Sequence, residues 1–224
     1  MCARFTLTEK DARKVAAELG ALLRPEHAAL WRPRYNVAPT DVHWAVRSRA
    51  DGKELVPARW TYGADKDAAS IVNARSETAA RLGLFKHAFA KRRCLVPADG
   101  FFEWTGARDA RRPLWYHPRA AGLVLFAGLY EEREPAELGF TILTVPANVL
   151  IAPVHDRMPA LLTPQEAEEW LAPTTTPERL ALLLAPAPDD RLVATPVSRR
   201  VNSVANDDAE CLAPAAPPPQ LSLL

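Results

Sequence analysis

Arg92-Arg93-Cys94-Leu95-Val96-Pro97-Ala98-Asp99-Gly100-Phe101-Phe102-Glu103-Trp104 lies near the middle of the 224-residue chain. It holds two short apolar runs, 94–97 and 101–104, parted by Ala, Asp and Gly. Runs of this kind, rich in branched and aromatic side chains, read as strands. Side chains alternate across a strand, so Phe101 and Glu103 share one face while Phe102 and Trp104 take the other. Outward from here, 43–49, 54–60, 122–130, 139–144 and 192–197 read the same way. Helical signals are fewer. Thr8-Glu9-Lys10-Asp11 looks like a cap before Val15, Leu19, Leu22 and Leu23; 84–91 places Phe85 and Phe89 on one helical face. Thr163-Pro164-Gln165-Glu166 is a capping box with Pro at the first helical position, and Thr176-Pro177 repeats the cap-then-Pro pattern. Many short strands with scattered helices predict an α+β domain around a curved, partly closed, mainly antiparallel sheet, flanked by short helices.

Composition agrees with a globular chain: 48% hydrophobic, 25% charged, net charge +1. Such a balance excludes a disordered chain and a globally basic nucleic-acid binder, but leaves room for a local basic groove. Twenty-one prolines against nine glycines favour many short elements joined by stiff turns. No run approaches the roughly 18 apolar residues of a membrane span, and Met1-Cys2-Ala3-Arg4-Phe5 leads into charged residues unlike a signal peptide. Cys2, Cys94 and Cys211 have no paired spacing, which fits a reduced cytoplasm and gives no zinc signature. No metal site or cofactor is expected. One domain over 1–212 and a Pro-rich mobile tail over 213–224 complete the organisation.

Four places could carry chemistry. A small residue at position 2 usually lets the initiator Met be removed, which makes Cys2 the N-terminus with an amine and a thiol on adjacent carbons. Reference values of about 7.7–8.0 for the amine and about 8.5 for the thiol leave both partly deprotonated near neutrality. That pair condenses with an aldehyde to a Schiff base and then closes a five-membered thiazolidine. The plainer reading is an incidental cysteine beside the start codon. Glu103, flanked by aromatic rings, is either a solvated edge carboxylate or a desolvated one tuned for proton transfer. His155, in Val154-His155-Asp156-Arg157-Met158-Pro159, is either a satisfied polar side chain or a switchable donor on a stiff loop. Asn73-Ala74-Arg75-Ser76-Glu77-Thr78 is either a helix cap or an orienting amide beside a phosphate clamp. Arg4 with Phe5, Trp31-Arg32-Pro33-Arg34-Tyr35 and Lys91-Arg92-Arg93 interleave cations and rings, a pattern suited to single-stranded nucleic acid.

In order along 2 to about 212, these strings resemble the SOS-response-associated peptidase (SRAP) family, which shields abasic sites in DNA. They are joined by Arg34-Tyr35-Asn36-Val37-Ala38-Pro39-Thr40, Phe140-Thr141-Ile142-Leu143-Thr144, Ala147-Asn148, Val197-Ser198, Val201-Asn202 and Asn206-Asp207. The resemblance implies a barrel-like sheet with the N-terminus at an open DNA-binding face. It implies that the mature Cys2 traps the ring-opened aldehyde of an abasic sugar in single-stranded DNA as a thiazolidine crosslink. Asn73 would position Cys2, Glu103 would take and shuttle the amine's proton, and His155 would hydrogen-bond the sugar oxygen. Arg4 and Arg75 would contact the flanking phosphates, and Trp60 or Tyr62 would stack as a wedge. Lyase and autoproteolytic side activities belong to the same implication, as does a cytoplasmic, nucleoid-associated monomer whose partner is abasic single-stranded DNA and not a membrane. The chain departs from the family in two places. Ala3 stands where the family has Gly, and the stretch from Trp60 to Asn73 is short. Rival readings of the processed Cys are an N-terminal-nucleophile hydrolase or glutamine amidotransferase, and a single-strand binder that forms no crosslink.

Overall fold

The computed structural model describes residues 3–63, 70–107, 110–133 and 137–215. Among them the strands are β1 (Phe5–Leu7), β2 (Ala21–Leu22), β3 (Arg34–Val37), β4 (Val42–Arg49), β5 (Gly52–Trp60), β6 (Asn73–Arg75) and β7 (Arg93–Ala98). They continue as β8 (Gly100–Thr105), β9 (Arg112–Pro118), β10 (Val124–Arg133), β11 (Glu137–Pro146), β12 (Arg157–Pro159), β13 (Leu161–Leu162) and β14 (Leu192–Pro196). The helices are α1 (Ala12–Glu18), α2 (Pro25–Ala28), α3 (Ser76–Ala79), α4 (Gly83–Lys91), α5 (Pro164–Leu171) and α6 (Pro177–Leu183), with 3-10 turns at Arg199–Asn202 and Ala209–Leu212.

Two sheets form. In the larger, β11, β10, β7, β4 and β5 pair in that order, and β5 then pairs back to β11 in parallel at Gly139↔Arg59 and Phe140↔Trp60. The sheet thus closes into a ring, which removes its central edges. The smaller sheet runs β14-β9-β8-β1-β3, antiparallel throughout. The expected mixed, mainly antiparallel and partly closed sheet is what the chain forms.

β7 and β8 fall in different sheets, so Asp99-Gly100 is a corner and not a hairpin turn. Asp99 anchors it: Oδ2 accepts the N–H of Thr8 at 2.6 Å and its hydroxyl at 2.5 Å. A Cβ on Gly100 would meet the Trp115 indole nitrogen at 2.2 Å, so only glycine fits the corner. Thr8 is therefore committed to Asp99, and the N-cap of α1 is Asp11, whose side chain accepts from Arg13 N. That corrects the cap read at Thr8. The capping box of α5 forms in full, and Thr176 caps α6.

The alternation read along β8 holds. Phe101 joins the main core, stacking on Tyr116 at 5.4 Å and meeting Phe126 edge-on at 6.0 Å. Phe102 instead enters a second cluster with Val197, Val201 and Cys211, beside Trp104. Phe5 and Trp60 sit in the main core with ring centroids 4.8 Å apart. Burial of each such ring is worth about 1.5–3 kcal/mol or more.

The tail read as mobile from 213 begins with paired backbone. Ser198 N donates to Ala213 O at 2.8 Å and Val197 bridges Pro214. Residues 216–224 lie outside the described residues.

Candidate functional site

Strand pairing brings the first described residues to Glu103. β1 pairs β8 at Phe5↔Phe101 and Thr6↔Gly100, and Phe102 N donates to Arg4 O at 3.0 Å. Continuing that antiparallel register sets Ala3 opposite Glu103. Both line a cavity of about 600 Å³, together with Arg4, Trp104 and His155. A volume of this size suits one small polar group or one sugar with its attachments. His155 enters from the 147–156 connection between β11 and β12.

Glu103 is 5% exposed. Burial pushes its carboxyl up to about 7, so it exchanges a proton near neutral pH. The Tyr116 hydroxyl is pushed up to about 12, by burial first and by the Glu103 charge second. The His155 imidazole is lowered, by desolvation first, which favours its neutral form. Its Nδ1 accepts the Arg157 backbone N–H at 2.9 Å, so the neutral ring carries its proton on Nε2. The exposed Asp156 carboxylate lies 2.9 Å from the same Nδ1 and favours the protonated ring instead. Those demands conflict, and desolvation decides for the neutral form. A carboxyl near 7 and an imidazole lowered by burial thus line one cavity, an arrangement able to exchange protons.

The cavity floor is held from the far end of the chain. Arg4 Nη1 donates to Asn36 Oδ1 at 2.9 Å and Val201 O at 3.0 Å, and its guanidinium lies 5.7 Å from the Trp104 ring centroid. Trp104 Nε1 donates to Asn202 Oδ1 at 2.7 Å. Asn36 Nδ2 donates to Val201 O, Ser203 O and Asn206 O. Arg111, Arg199 and Asn202 also line the cavity, and the two arginines are exposed. Sequence reasoning did not single them out as site residues. For Arg199 and Asn202 the signal was the 197–207 string itself, which brings a cation to the rim and amides to the floor; Arg111 carried none.

Asn73 and Arg75 lie one strand away, on β6, in parallel register with Ile142 and Thr144 of β11. They do not line this cavity. Arg75 is exposed and Asn73 half-buried. The Arg157 guanidinium ties their segment to the His155 loop, donating to Glu77 at 2.5 and 2.9 Å. Glu77 is held down at about 2, first by that bond.

Trp60 and Tyr62 correct the expectation of a stacking wedge. Trp60 is 0% exposed and donates Nε1 to Val72 O at 2.8 Å, and Tyr62 is 5% exposed. Neither ring offers a face to a base. Cys2 lies outside the described residues; the peptide bond to Ala3 keeps its Cα about 3.8 Å from that of Ala3. The other two thiols are buried and burial pushes both up, so neither is a ready nucleophile. Among the described residues no three His, Cys, Asp or Glu side chains converge as a metal site. No helix among them is long and apolar enough to cross a membrane.

A family model described as SOS response associated peptidase (SRAP) matches residues 1–204. The abasic site processing protein YoqW of Bacillus subtilis is 34% identical over 224 residues, covering 95% of this chain and 99% of that protein. The abasic site processing protein YedK of Escherichia coli is 33% identical over 189 residues, covering 81% and 84%. The abasic site processing protein HMCES of Gallus gallus is 32% identical over 225 residues, covering 82% and 67%. Among solved structures, a Bacteroides thetaiotaomicron protein superposes with a TM-score of 0.83 at 23% identity, covering 96% of this chain and all of that one, a likeness of fold. A phage-related protein of Bordetella bronchiseptica superposes with a TM-score of 0.69 at 30% identity, covering 88% and 94%.

Proposed function

The chain belongs to the SOS response associated peptidase (SRAP) family, and from that membership we propose that it senses abasic sites in single-stranded DNA and traps them covalently through Cys2. The observation that carries this reading is the shared cavity. Ala3, the residue bonded to Cys2, lines the same space as Glu103 and His155.

Removal of Met1 frees the Cys2 amine. Glu103, ionised above about 7, takes a proton from the α-ammonium. His155 donates a hydrogen bond from Nε2 to the ring oxygen of the abasic sugar and helps open it to the aldehyde. The amine adds to the aldehyde carbon, and Glu103 returns its proton to the departing hydroxyl, which leaves as water. The thiol then adds to the iminium carbon, its proton passes to nitrogen, and the thiazolidine closes. Blocking that closure leaves an iminium that acidifies the neighbouring sugar carbon, which gives slow β-elimination as a lyase side activity. The peptidase label is read as self-removal of residues ahead of Cys2.

Arg4, Arg75, Arg111 and Arg199 supply sequence-independent attraction for phosphates. A single strand needs no base extrusion, which in a duplex costs a few kcal/mol. The reading includes action at the nucleoid as a monomer; sedimentation with and without DNA tests the monomer. Intact mass spectrometry of the protein, alone and after incubation with an abasic oligonucleotide, tests the chemistry. The expected masses are the chain without Met1 and that chain plus DNA less one water. Retention of Met1 in a crosslinking-competent protein, or a heat-stable adduct with Cys2→Ala, refutes the thiazolidine. Glutamine hydrolysis without an adduct points to an amidotransferase instead.

A further inference from the structure

Arg157 joins two segments that lie 80 positions apart in sequence. Its side chain is only 9% exposed and needs an anion. Both Glu77 oxygens meet it, and its Nη2 also donates to Thr144 O at 2.5 Å. Thr144 in turn donates its hydroxyl to Ala74 O at 3.3 Å, between Asn73 and Arg75. The same Arg157 fixes His155, because its backbone N–H is the donor to Nδ1. Glu77 follows Asn73–Arg75 in the first turn of α3, so one carboxylate lies at the junction of both segments.

We propose that Glu77 is a positioning residue for the reaction, holding Arg157 so that its backbone N–H locks the His155 ring in the Nε2–H tautomer. The proposal rests on the crosslinking role given above to His155. Without the carboxylate, a nearly buried guanidinium is left with the uncharged carbonyl and hydroxyl oxygens of Thr144 and is drawn toward water. The first residue of β12 follows it, and the N–H that orients the imidazole is displaced. The ring then samples both tautomers, and the Nδ1–H form presents an acceptor where the sugar oxygen needs a donor.

The test uses the full chain labelled with 15N-histidine, with His155 assigned by its loss in His155→Gln. At pH 8 the unaltered chain is expected to show an unprotonated Nδ1 and a protonated Nε2. In Glu77→Gln both nitrogens move toward averaged values. In single-turnover crosslinking, the maximal rate is expected to fall about tenfold with the half-saturating DNA concentration changed less than about twofold. Glu77→Asp keeps the charge and is expected to recover most of the tautomer signature and rate; it also serves if Glu77→Gln does not fold. An unchanged His155 signature and rate alongside a lower melting temperature would overturn the proposal, leaving a structural ion pair. A raised half-saturating concentration at unchanged maximal rate overturns it too, in favour of a substrate contact. If the unaltered chain makes no adduct at all, the functional reading fails while the tautomer comparison still decides the role of Glu77.

Discussion

Asp207 Oδ2 meets Arg34 Nε at 2.5 Å across 173 positions of sequence. The same carboxylate accepts the backbone N–H groups of Tyr35 and Asn36 at 2.7 and 2.9 Å through its other oxygen. Asn36 then holds Arg4, so the ion pair at the far side of β3 sets the cavity floor. Asp207→Asn keeps the shape but weakens three donors' partner beside a nearly buried guanidinium, which retains Asp41. The expected loss is about 2–3 kcal/mol of unfolding free energy. Urea denaturation measures it, and a loss below about 0.5 kcal/mol, the size of a surface substitution, would show that the C-terminal segment does not brace β3.

Glu103 sets the expected pH dependence. As acceptor of the amine proton it must be ionised, so the crosslinking rate rises with pH through about 7. The stability effect has the opposite sign. Its carboxyl is raised from 4.5, so the folded state binds the proton more tightly than the unfolded one. The contribution is fully present below about 4.5, shrinks as pH rises, and is gone above about 7. Ionised Glu103 at pH 8 therefore costs at most about 3 kcal/mol relative to acid, at 1.36 kcal/mol per tenfold change in proton affinity. Glu103→Gln is expected to slow adduct formation and flatten its pH profile. It should also be more stable than the parent at pH 8, with little gain at pH 4. Unfolding curves at the two pH values and single-turnover rates check both halves; an unaltered pH–rate profile would remove Glu103 from the proton path.

Signals confined to a few neighbouring residues were legible before the fold was known. Thr163 and Glu166 close their box because both partners lie within one turn, and Phe101, Phe102 and Glu103 sort onto faces by alternation alone. What depends on distant chain was not legible. Asn36 finds Asn206 O, and Thr8 is claimed by Asp99 before it can cap α1. β9 escaped notice because Pro113 and Pro118 near its ends read as breakers, yet they sit where the strand begins and ends. Asn73–Arg75 is too short to announce a strand and is one only because β11 offers it a parallel ladder. The aromatic wedge was a different kind of error. Trp60 shares its parity on β5 with buried Val56 and Ala58, so alternation already marked it as a core residue.

Trp60 accordingly is expected to act on stability and not on DNA. It packs against Phe5 and, at 6.3 Å and 3° between ring planes, stacks on Phe140. Trp60→Ala opens a cavity and leaves the Val72 carbonyl with Ile142 N as its donor, for an expected loss of about 3–5 kcal/mol. Trp60→Phe is milder and should leave the affinity for single-stranded DNA unchanged per folded molecule. Anisotropy titration of folded Trp60→Phe tests this directly. A drop in affinity beyond about threefold, or some 0.6 kcal/mol, would return the ring to the DNA interface.

The rim arginines make the last expectation quantitative. Arg111 and Arg199 are exposed at the cavity mouth, and a phosphate seated there would displace condensed counterions. For single strands each neutralised phosphate contributes about 0.7 to the slope of log affinity against log salt. Arg111→Gln and Arg199→Gln are each expected to lower that slope by about this amount, at similar cost across sequences. Arg179 is an internal control: its guanidinium is paired with Glu169 between α5 and α6 and lines no part of this cavity. Arg179→Gln should leave the slope alone. Titrations of a labelled strand carrying a non-reactive abasic analogue, repeated over a range of salt, separate the cases. Equal slopes for all three variants would mean that the strand does not cross the mouth formed by Arg111 and Arg199.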